Sequence, residues 1–372
     1  MTKLRILIAD DSVVYRSQIR AALTDFPWAE ITGVASNGRL ALERIQQVPV
    51  DLLILDLEMP EMDGLQTLTE MKKLKIQSKT IVFSSVSKRG SEITLEALRL
   101  GASEFVTKPG SGDFESADEK AMEPSARIRS LLEPKILALF PEIEGKSKIN
   151  SRSVTNLNSN FNNNMWDLFQ PKVIVIGSST GGPTVLEGIF SEITGPLRCP
   201  IFITQHMPPI FTATLAERIQ KMSGIPTYEA KDQQRVEKNA IYVAPGNFHM
   251  SLTGTPDQVS IVLDQGPLQN SVRPAVDPLF ASAALIYKDK CLGFVLTGMG
   301  ADGKIGAEKV KASGGAIIIQ EESTCVVFGM PGAVMASGAF DRMLSPAEII
   351  SVLLDKTATA KPVKNNLNTI GV

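Results

Sequence analysis

The sequence predicts an α/β protein: a five-stranded, doubly wound parallel N-terminal domain, followed by a C-terminal α/β domain built on a mostly parallel sheet. Three observations carry that prediction. Apolar runs alternate with helical stretches through the first 108 residues. An Asn-rich interruption follows, and the alternation resumes at Pro171. In both halves the chemistry-bearing residues fall just past the ends of apolar runs, where parallel sheets gather their sites.

Apolar runs suited to buried parallel strands lie at 4–9, 31–35, 51–55, 80–84 and 104–107. Helical stretches near 12–25, 37–48, 64–74 and 89–100 provide the crossovers that parallel strands require. Pro124 opens a further helix over 124–140 and Pro141 closes it, while the Gly-, Ser- and acid-rich 109–123 reads as a loop. Residues 150–164 contain seven Asn and four Ser or Thr, which cannot build a core, so 141–170 is expected to be a linker. Beyond it, strands are expected at 172–176, 200–204, 240–244, 291–297 and 315–320. Helices fit 183–193, 210–222, 277–287, 303–312 and 345–354, with a hairpin across 247–263. The expected organisation is therefore a first domain at 1–140, the linker, a second domain at 171–356 and a polar tail at 357–372.

A chain of 372 residues has room for two such cores. The formal net charge of −2 argues against a general nucleic-acid binder, which needs a basic surface. Cys199, Cys291 and Cys325 are odd in number and widely spaced, so buried reduced thiols are expected rather than disulfides or zinc. No apolar run is long enough to span a bilayer. Lys3 and Arg5 beside an apolar stretch suggest a signal peptide, but Asp10-Asp11 ends it at once, so it reads as the first strand of a cytoplasmic protein.

Asp10 and Asp11 follow the first expected strand and Asp56 ends the third. Three converging carboxylates repel one another unless they share a hard cation, for which Mg²⁺ is the natural choice. With the metal bound, Asp56 becomes a candidate phosphoryl acceptor. Ser84 and Lys108, at the ends of the fourth and fifth strands, offer a hydroxyl and a cation to phosphoryl oxygens. Caps and turns explain any one of these residues but not the set. The pieces I-A-D-D-S at 8–12, D-L-E-M-P at 56–60, Asp63-Gly64, S-S at 84–85 and F-V-T-K-P at 105–109 resemble receiver domains of two-component response regulators. The resemblance implies phosphorylation of Asp56 by a histidine kinase, with Phe105 as the aromatic switch residue that works with Ser84 and Lys108.

In the second domain, Val173 to Pro183 reads as strand, glycine turn and helix, and residues 177–181 fit G-x-S-x-G around Ser179. Alone the pattern is weak, for a phosphate-cradling loop looks similar. A serine needs a base, and only His206 and His249 exist. His206 falls just past an expected strand, on the serine's rim. His249 falls in the expected hairpin, where a satisfied core or peripheral role fits better. Asp302 follows the strand 291–297 and is the candidate acid partner. The order Ser, His, acid differs from that of α/β-hydrolases. A competing reading is a dinucleotide fingerprint at Gly298, Gly300 and Gly303, although Asp302 would then face a pyrophosphate.

The segments I-G-S-S-T-G-G at 176–182, T-Q-H-M-P-P at 204–209, I-Y-V-A-P-G at 241–246, R-P-A-V-D-P-L-F at 273–280, L-T-G-M-G-A-D-G at 296–303 and C-V-V-F-G-M-P at 325–331 resemble the CheB family of chemotaxis protein-glutamate methylesterases. The resemblance implies hydrolysis of glutamyl methyl esters on methyl-accepting chemotaxis receptors, with glutamine deamidation as a further activity. It also implies Thr180 and Met299 as oxyanion donors, no cofactor for the ester step, and a monomer whose unphosphorylated receiver covers the active-site mouth. A receiver-regulated scaffold with a dead hydrolase domain is the alternative from another class, and a serine-reactive phosphonate separates the two.

Overall fold

Two parallel sheets organise the chain, and each begins at an interior strand. The computed structural model describes residues 3–109, 122–144 and 163–357. The loop expected over 109–123, the Asn-rich 150–164 and the tail 357–372 fall largely outside them. The first sheet contains β1 (Leu4–Ala9), β2 (Ala29–Ala35), β3 (Leu52–Asp56), β4 (Lys79–Ser84) and β5 (Glu104–Thr107). Its order is β2-β1-β3-β4-β5, all parallel. Helices α1 (Val13–Thr24), α2 (Gly38–Gln47), α3 (Gly64–Lys73), α4 (Lys88–Leu100) and α5 (Pro124–Leu139) wrap it.

Strand residues of alternating parity serve opposite faces. Ile6, Ile8, Ile54, Ile81 and Phe83 pack with Ile19 and Leu23 of α1 and Ile128, Leu132 and Ile136 of α5. Leu7, Leu53, Leu55 and Val82 face Ala41, Leu68, Leu95 and Leu98 of α2, α3 and α4. Being buried on both faces is why these strands read as unbroken apolar runs.

Within the expected linker, α6 (Asn163–Leu168) forms, and Trp166 is buried. Lys356 Nζ donates to the Trp166 carbonyl at 2.9 Å, tying this segment to the far end of the second domain. The second sheet comprises β6 (Val173–Ser178), β7 (Ile201–Gln205), β8 (Thr227–Glu229), β9 (Ile241–Val243), β12 (Cys291–Val295), β13 (Ala316–Gln320) and β14 (Arg342–Leu344). Its order is β14-β13-β12-β6-β7-β9-β8, again all parallel. The expected hairpin is β10 (His249–Thr255) against β11 (Gln258–Asp264).

Helices α7 (Gly182–Glu192), α8 (Phe211–Ser223) and α12 (Pro346–Thr357) cover one face of this sheet. Helices α9 (Val276–Tyr287), α10 (Lys304–Ala312) and α11 (Gly329–Ser337) cover the other. Strands β8 and β14, three residues each, and helix α11, whose Gly and Pro content hides a helical pattern, are elements the sequence reading did not anticipate. Cys199 and Cys291 are buried and Cys325 is half-buried; all three are free, and burial pushes the Cys199 and Cys325 thiols up to about 12.

Both sheets reverse winding direction beside their first strand, between β1 and β3 and between β6 and β12. Such reversal points open a crevice beyond the carboxyl ends of the strands. The apolar cluster under α4 does not stop at the first domain: it runs through Phe105 to Phe211 and Leu215 of α8.

Candidate active site and phosphoacceptor site

The crevice between β6 and β12 contains Ser179. Strand β6 ends at Ser178, and Gly181 starts α7 at φ 79°, a left-handed conformation with no room for a Cβ, which would sit 2.6 Å from Val326 Cγ2. The turn is clamped from both sides. Ser179 N–H donates to the Thr297 carbonyl at 3.0 Å. Gln205, last in β7, accepts from Ser178 Oγ at 2.7 Å and donates to the Ser179 carbonyl at 2.9 Å. Gly298 permits the close approach of the β12 loop, since a Cβ there would lie 2.7 Å from Ser179 Cβ.

His206 follows β7 directly, and its N–H donates to the Ser178 carbonyl at 3.1 Å. Its ring Nε2 donates to Asp302 Oδ2 at 2.7 Å. The lone pair left for a serine proton is therefore on Nδ1. Among the described residues no hydrogen bond joins this ring to the Ser179 hydroxyl. Such contacts tighten on substrate binding. Asp302 is buried and accepts four further bonds: from Val276 N (2.6 Å), Asp277 N (3.2 Å), Gly303 N (2.9 Å) and Asn270 Nδ2 (3.1 Å). Two of these donors are the first N–H groups of α9, whose N-cap, Ala275, has no capping side chain. Burial works against the Asp302 charge. The His206 hydrogen bond and charge, then the Val276 and Asp277 N–H groups, outweigh it and hold the carboxyl below its usual range.

Among the described residues the backbone N–H groups of Thr180 and Met299 make no hydrogen bond within the protein. The dinucleotide reading fares poorly. The N–H of Gly303 is already given to Asp302, whose charge occupies the position a pyrophosphate would need. His249 is buried, accepting from Ala275 N at 3.2 Å and donating to the Pro267 carbonyl at 3.0 Å, a satisfied core histidine.

In the first sheet, one carboxylate oxygen from each of Asp10, Asp11 and Asp56 lies within 4.8 Å of the others. Asp10 and Asp56 are buried and Asp11 is exposed. Lys108 Nζ sits 2.7 Å from Asp56 Oδ2 and 3.1 Å from Asp10 Oδ2. Asp10 Oδ2 nonetheless lacks a partner in hydrogen-bonding geometry. Burial pushes the Asp56 carboxyl up to about 6; Lys108 opposes this and the Asp10 charge adds to it. Three acids clustered this closely, two of them buried and sharing a single lysine, are a donor set that fits a hard divalent cation. Ser84 Oγ, meanwhile, accepts from Thr94 Oγ1 at 2.6 Å, and so is engaged with α4.

The two sites are joined by side chains of which the sequence reading singled out only Phe105 and Thr180. Phe105 stacks on Phe211 with centroids 4.8 Å apart. Beside it, the Thr180 hydroxyl donates to Glu104 Oε2, which also lies 3.4 Å from Lys135 Nζ. Ser91 and Thr214 hydroxyls meet at 2.6 Å, and Arg218 bridges Glu187 and Glu96. Gln205, Asn270 and Asp277 were likewise not singled out. The motif segments containing Gln205 and Asp277 were the only signal for them.

Comparison with known proteins gives two family matches: the CheB methylesterase family over residues 174–353 and the response regulator receiver domain over residues 6–114. A protein-glutamate methylesterase/protein-glutamine glutaminase of Trichodesmium erythraeum is 41% identical over 345 residues, 92% of this chain and 96% of that protein. One of the same name from Thermotoga maritima is 36% identical over 354 residues, covering 95% and 98%. The crystal structure of the Thermotoga maritima CheB methylesterase catalytic domain is 44% identical, covers 50% of this chain and 98% of that one, and has a TM-score of 0.48.

Proposed function

The chain belongs to the CheB methylesterase family, and from that premise we propose that it is a phosphorylation-activated protein-glutamate methylesterase and protein-glutamine glutaminase with Ser179 as nucleophile. The observation that carries this reading is the 2.7 Å pair of His206 and Asp302 on the rim of the Ser179 turn. His206 Nδ1 takes the Ser179 proton, and Oγ attacks the γ-carbonyl of a glutamyl methyl ester. Asp302 stabilises the imidazolium. The N–H groups of Thr180 and Met299 bind the oxyanion. The imidazolium returns its proton to the leaving methoxide, methanol departs, and water then cleaves the acyl-enzyme by the same route. With a glutamine amide the leaving group is ammonia.

The substrates are the methyl esters and glutamines of methyl-accepting chemotaxis receptors, and a chemotaxis histidine kinase supplies the phosphoryl group. Receiver domains in general are phosphorylated with Mg²⁺. In this chain Asp10, Asp11 and Asp56 would hold that ion, Asp56 accepting the phosphoryl group and Lys108 and Ser84 facing its oxygens. Residues 1–140 act as the receiver, 141–170 as the tether and 171–356 as the hydrolase, in a monomeric cytoplasmic protein. Glu104 and Phe105 lean on Thr180 and Phe211, so the resting receiver blocks the nucleophile's turn. Among the described residues no helix is long and apolar enough to cross a membrane. The test is methanol release from methylated receptors: Ser179→Ala should lower it by about 10⁴-fold or more. Turnover near that of the unaltered protein would sink the assignment.

A further inference from the structure

Behind the proposed triad stands a second acid. Asp277, in the first turn of α9, is buried. Its Oδ1 accepts from Gly306 N of α10 at 2.7 Å. Its Oδ2 accepts from Asn270 Nδ2 at 3.2 Å, and the same amide nitrogen donates to Asp302 Oδ1 at 3.1 Å. One amide thus bridges two carboxylates. Asn270 is held for this by a turn in which it has φ 51° and Ser271 φ 65°, while Gln269 and Val272 exchange backbone bonds of 3.2 and 3.0 Å. Left-handed backbone at consecutive non-glycine residues costs energy. Here it aims an exposed side chain inward at an acid pair.

A structural helix-capping acid would account for the Gly306 bond alone. It does not account for a second buried negative charge sharing a donor with the acid partner of His206. Asp302 already accepts five hydrogen bonds, and each donor drains charge that would otherwise act on the imidazolium. Asp277 restores part of that charge. The groups facing it are the Asp302 carboxylate from the loop after β12, the Asn270 amide and the Gly306 N–H, with His206 beyond Asp302. Burial, and then the Asp302 charge, push the Asp277 carboxyl above its usual range.

We infer that Asp277 is a positioning residue for hydrolysis: through Asn270 it fixes the Asp302 carboxylate, and its charge strengthens His206 as a base. The inference rests on the triad reading, and its test separates the two. The pH dependence of Ser179 labelling by a fluorophosphonate is measured on the full chain, activated by Mg²⁺ and a small phosphodonor, with Ser179→Ala as the blank. Labelling that persists in Ser179→Ala overturns the triad reading itself.

Asp277→Asn keeps the side chain's shape and deletes its charge. Labelling should slow about tenfold, and the acid limb of the profile should move about half to one pH unit lower, because the imidazolium loses a stabilising charge. Asn270→Ala removes a donor from Asp302 and leaves both charges, so its acid limb should move the other way. A slowed Asp277→Asn whose acid limb stays in place marks a purely structural acid and overturns the inference. Should Asp277→Asn fail to fold, Asn270→Ala decides: an upward shift supports the inference, and a fixed limb overturns it.

Discussion

Two acid clusters occupy equivalent places in the two sheets, yet they are built for opposite ends. Asp10, Asp11 and Asp56 lie at the reversal between β1 and β3; Asp302 lies at the reversal between β6 and β12. Asp302 is saturated by donors, and its carboxyl is held below its usual range. Asp56 has one lysine, which it shares with Asp10, and one long N–H bond from Glu58, and is pushed up to about 6. Burial penalises both charges alike, so position does not decide what such an acid does. The supply of N–H groups decides it. Asp302 sits at the open N-terminus of α9 and is a fixed charge, needing nothing from solution. Among the described residues the receiver cluster takes two such donors, the Ser12 N–H to Asp10 at 2.8 Å and the Glu58 N–H to Asp56 at 3.4 Å, and its donor set fits a cation.

The comparison breaks first at Asp302. Asp302→Asn keeps the volume but turns the His206 ring towards the wrong tautomer, and methanol release should fall about 10⁴-fold, with or without phosphodonor. Added Mg²⁺ should restore nothing. Recovery by metal would mean that both clusters are cation sites.

The next largest effect concerns stability and has the opposite sign in the receiver. Burial pushes the folded Asp56 carboxyl up to about 6 from its ordinary 3.8, so its charge opposes folding. Between those pH values the folded chain holds more protons than the unfolded one, and stability falls as pH rises through the window. Asp56→Asn removes that penalty. In EDTA it should be more stable than the unaltered protein by about 3 kcal/mol at pH 7, with the gap narrowing as pH falls through about 6 and closing below about pH 4. Urea unfolding at a series of pH values measures it. Equal stability at pH 7 would show that Lys108 already neutralises the cluster.

Metal dependence sharpens the contrast further. Chelation should abolish stimulation by a small phosphodonor and leave the unstimulated rate as it was. Asp56→Asn should likewise lose the stimulation. A chelator that also slows unstimulated hydrolysis would place a metal in the second site.

Much of this contrast was legible from the sequence, and the illegible part has a common cause. The strands of both sheets are apolar runs because both faces are buried, and the residues closing those runs marked Asp10, Asp56, Ser179, His206 and Asp302. What did not show was whatever depends on a partner far along the chain. Gln205, Asn270 and Asp277 act by hydrogen bonds to other segments, and none has a local signature. Strands β8 and β14 are too short for a period to register. Glu104 is the sharpest case, for a lone acid in a strand read only as a strand residue until Thr180, 76 positions away, met it.

That contact yields the smallest of the expected effects and the one that links the two clusters. In the proposed mechanism phosphorylation acts at Asp56, while the turn of the proposed nucleophile Ser179 lies in the other domain, so the signal must cross between them. Ser84 is bonded to Thr94, Phe105 is stacked on Phe211, and Glu104 binds the Thr180 hydroxyl next to the nucleophile. Glu104→Ala deletes the last of these and leaves the Phe105–Phe211 stack. An ordinary hydrogen bond contributes about 1 kcal/mol net, so the unphosphorylated hydrolysis rate should rise about fivefold or more. Phosphorylation then has less left to release, and the stimulation factor should shrink by the same ratio while the stimulated rate stays level. If the stimulated rate falls instead, Glu104 supports the Thr180 turn rather than restraining it, and the path between the clusters runs through Phe105 alone.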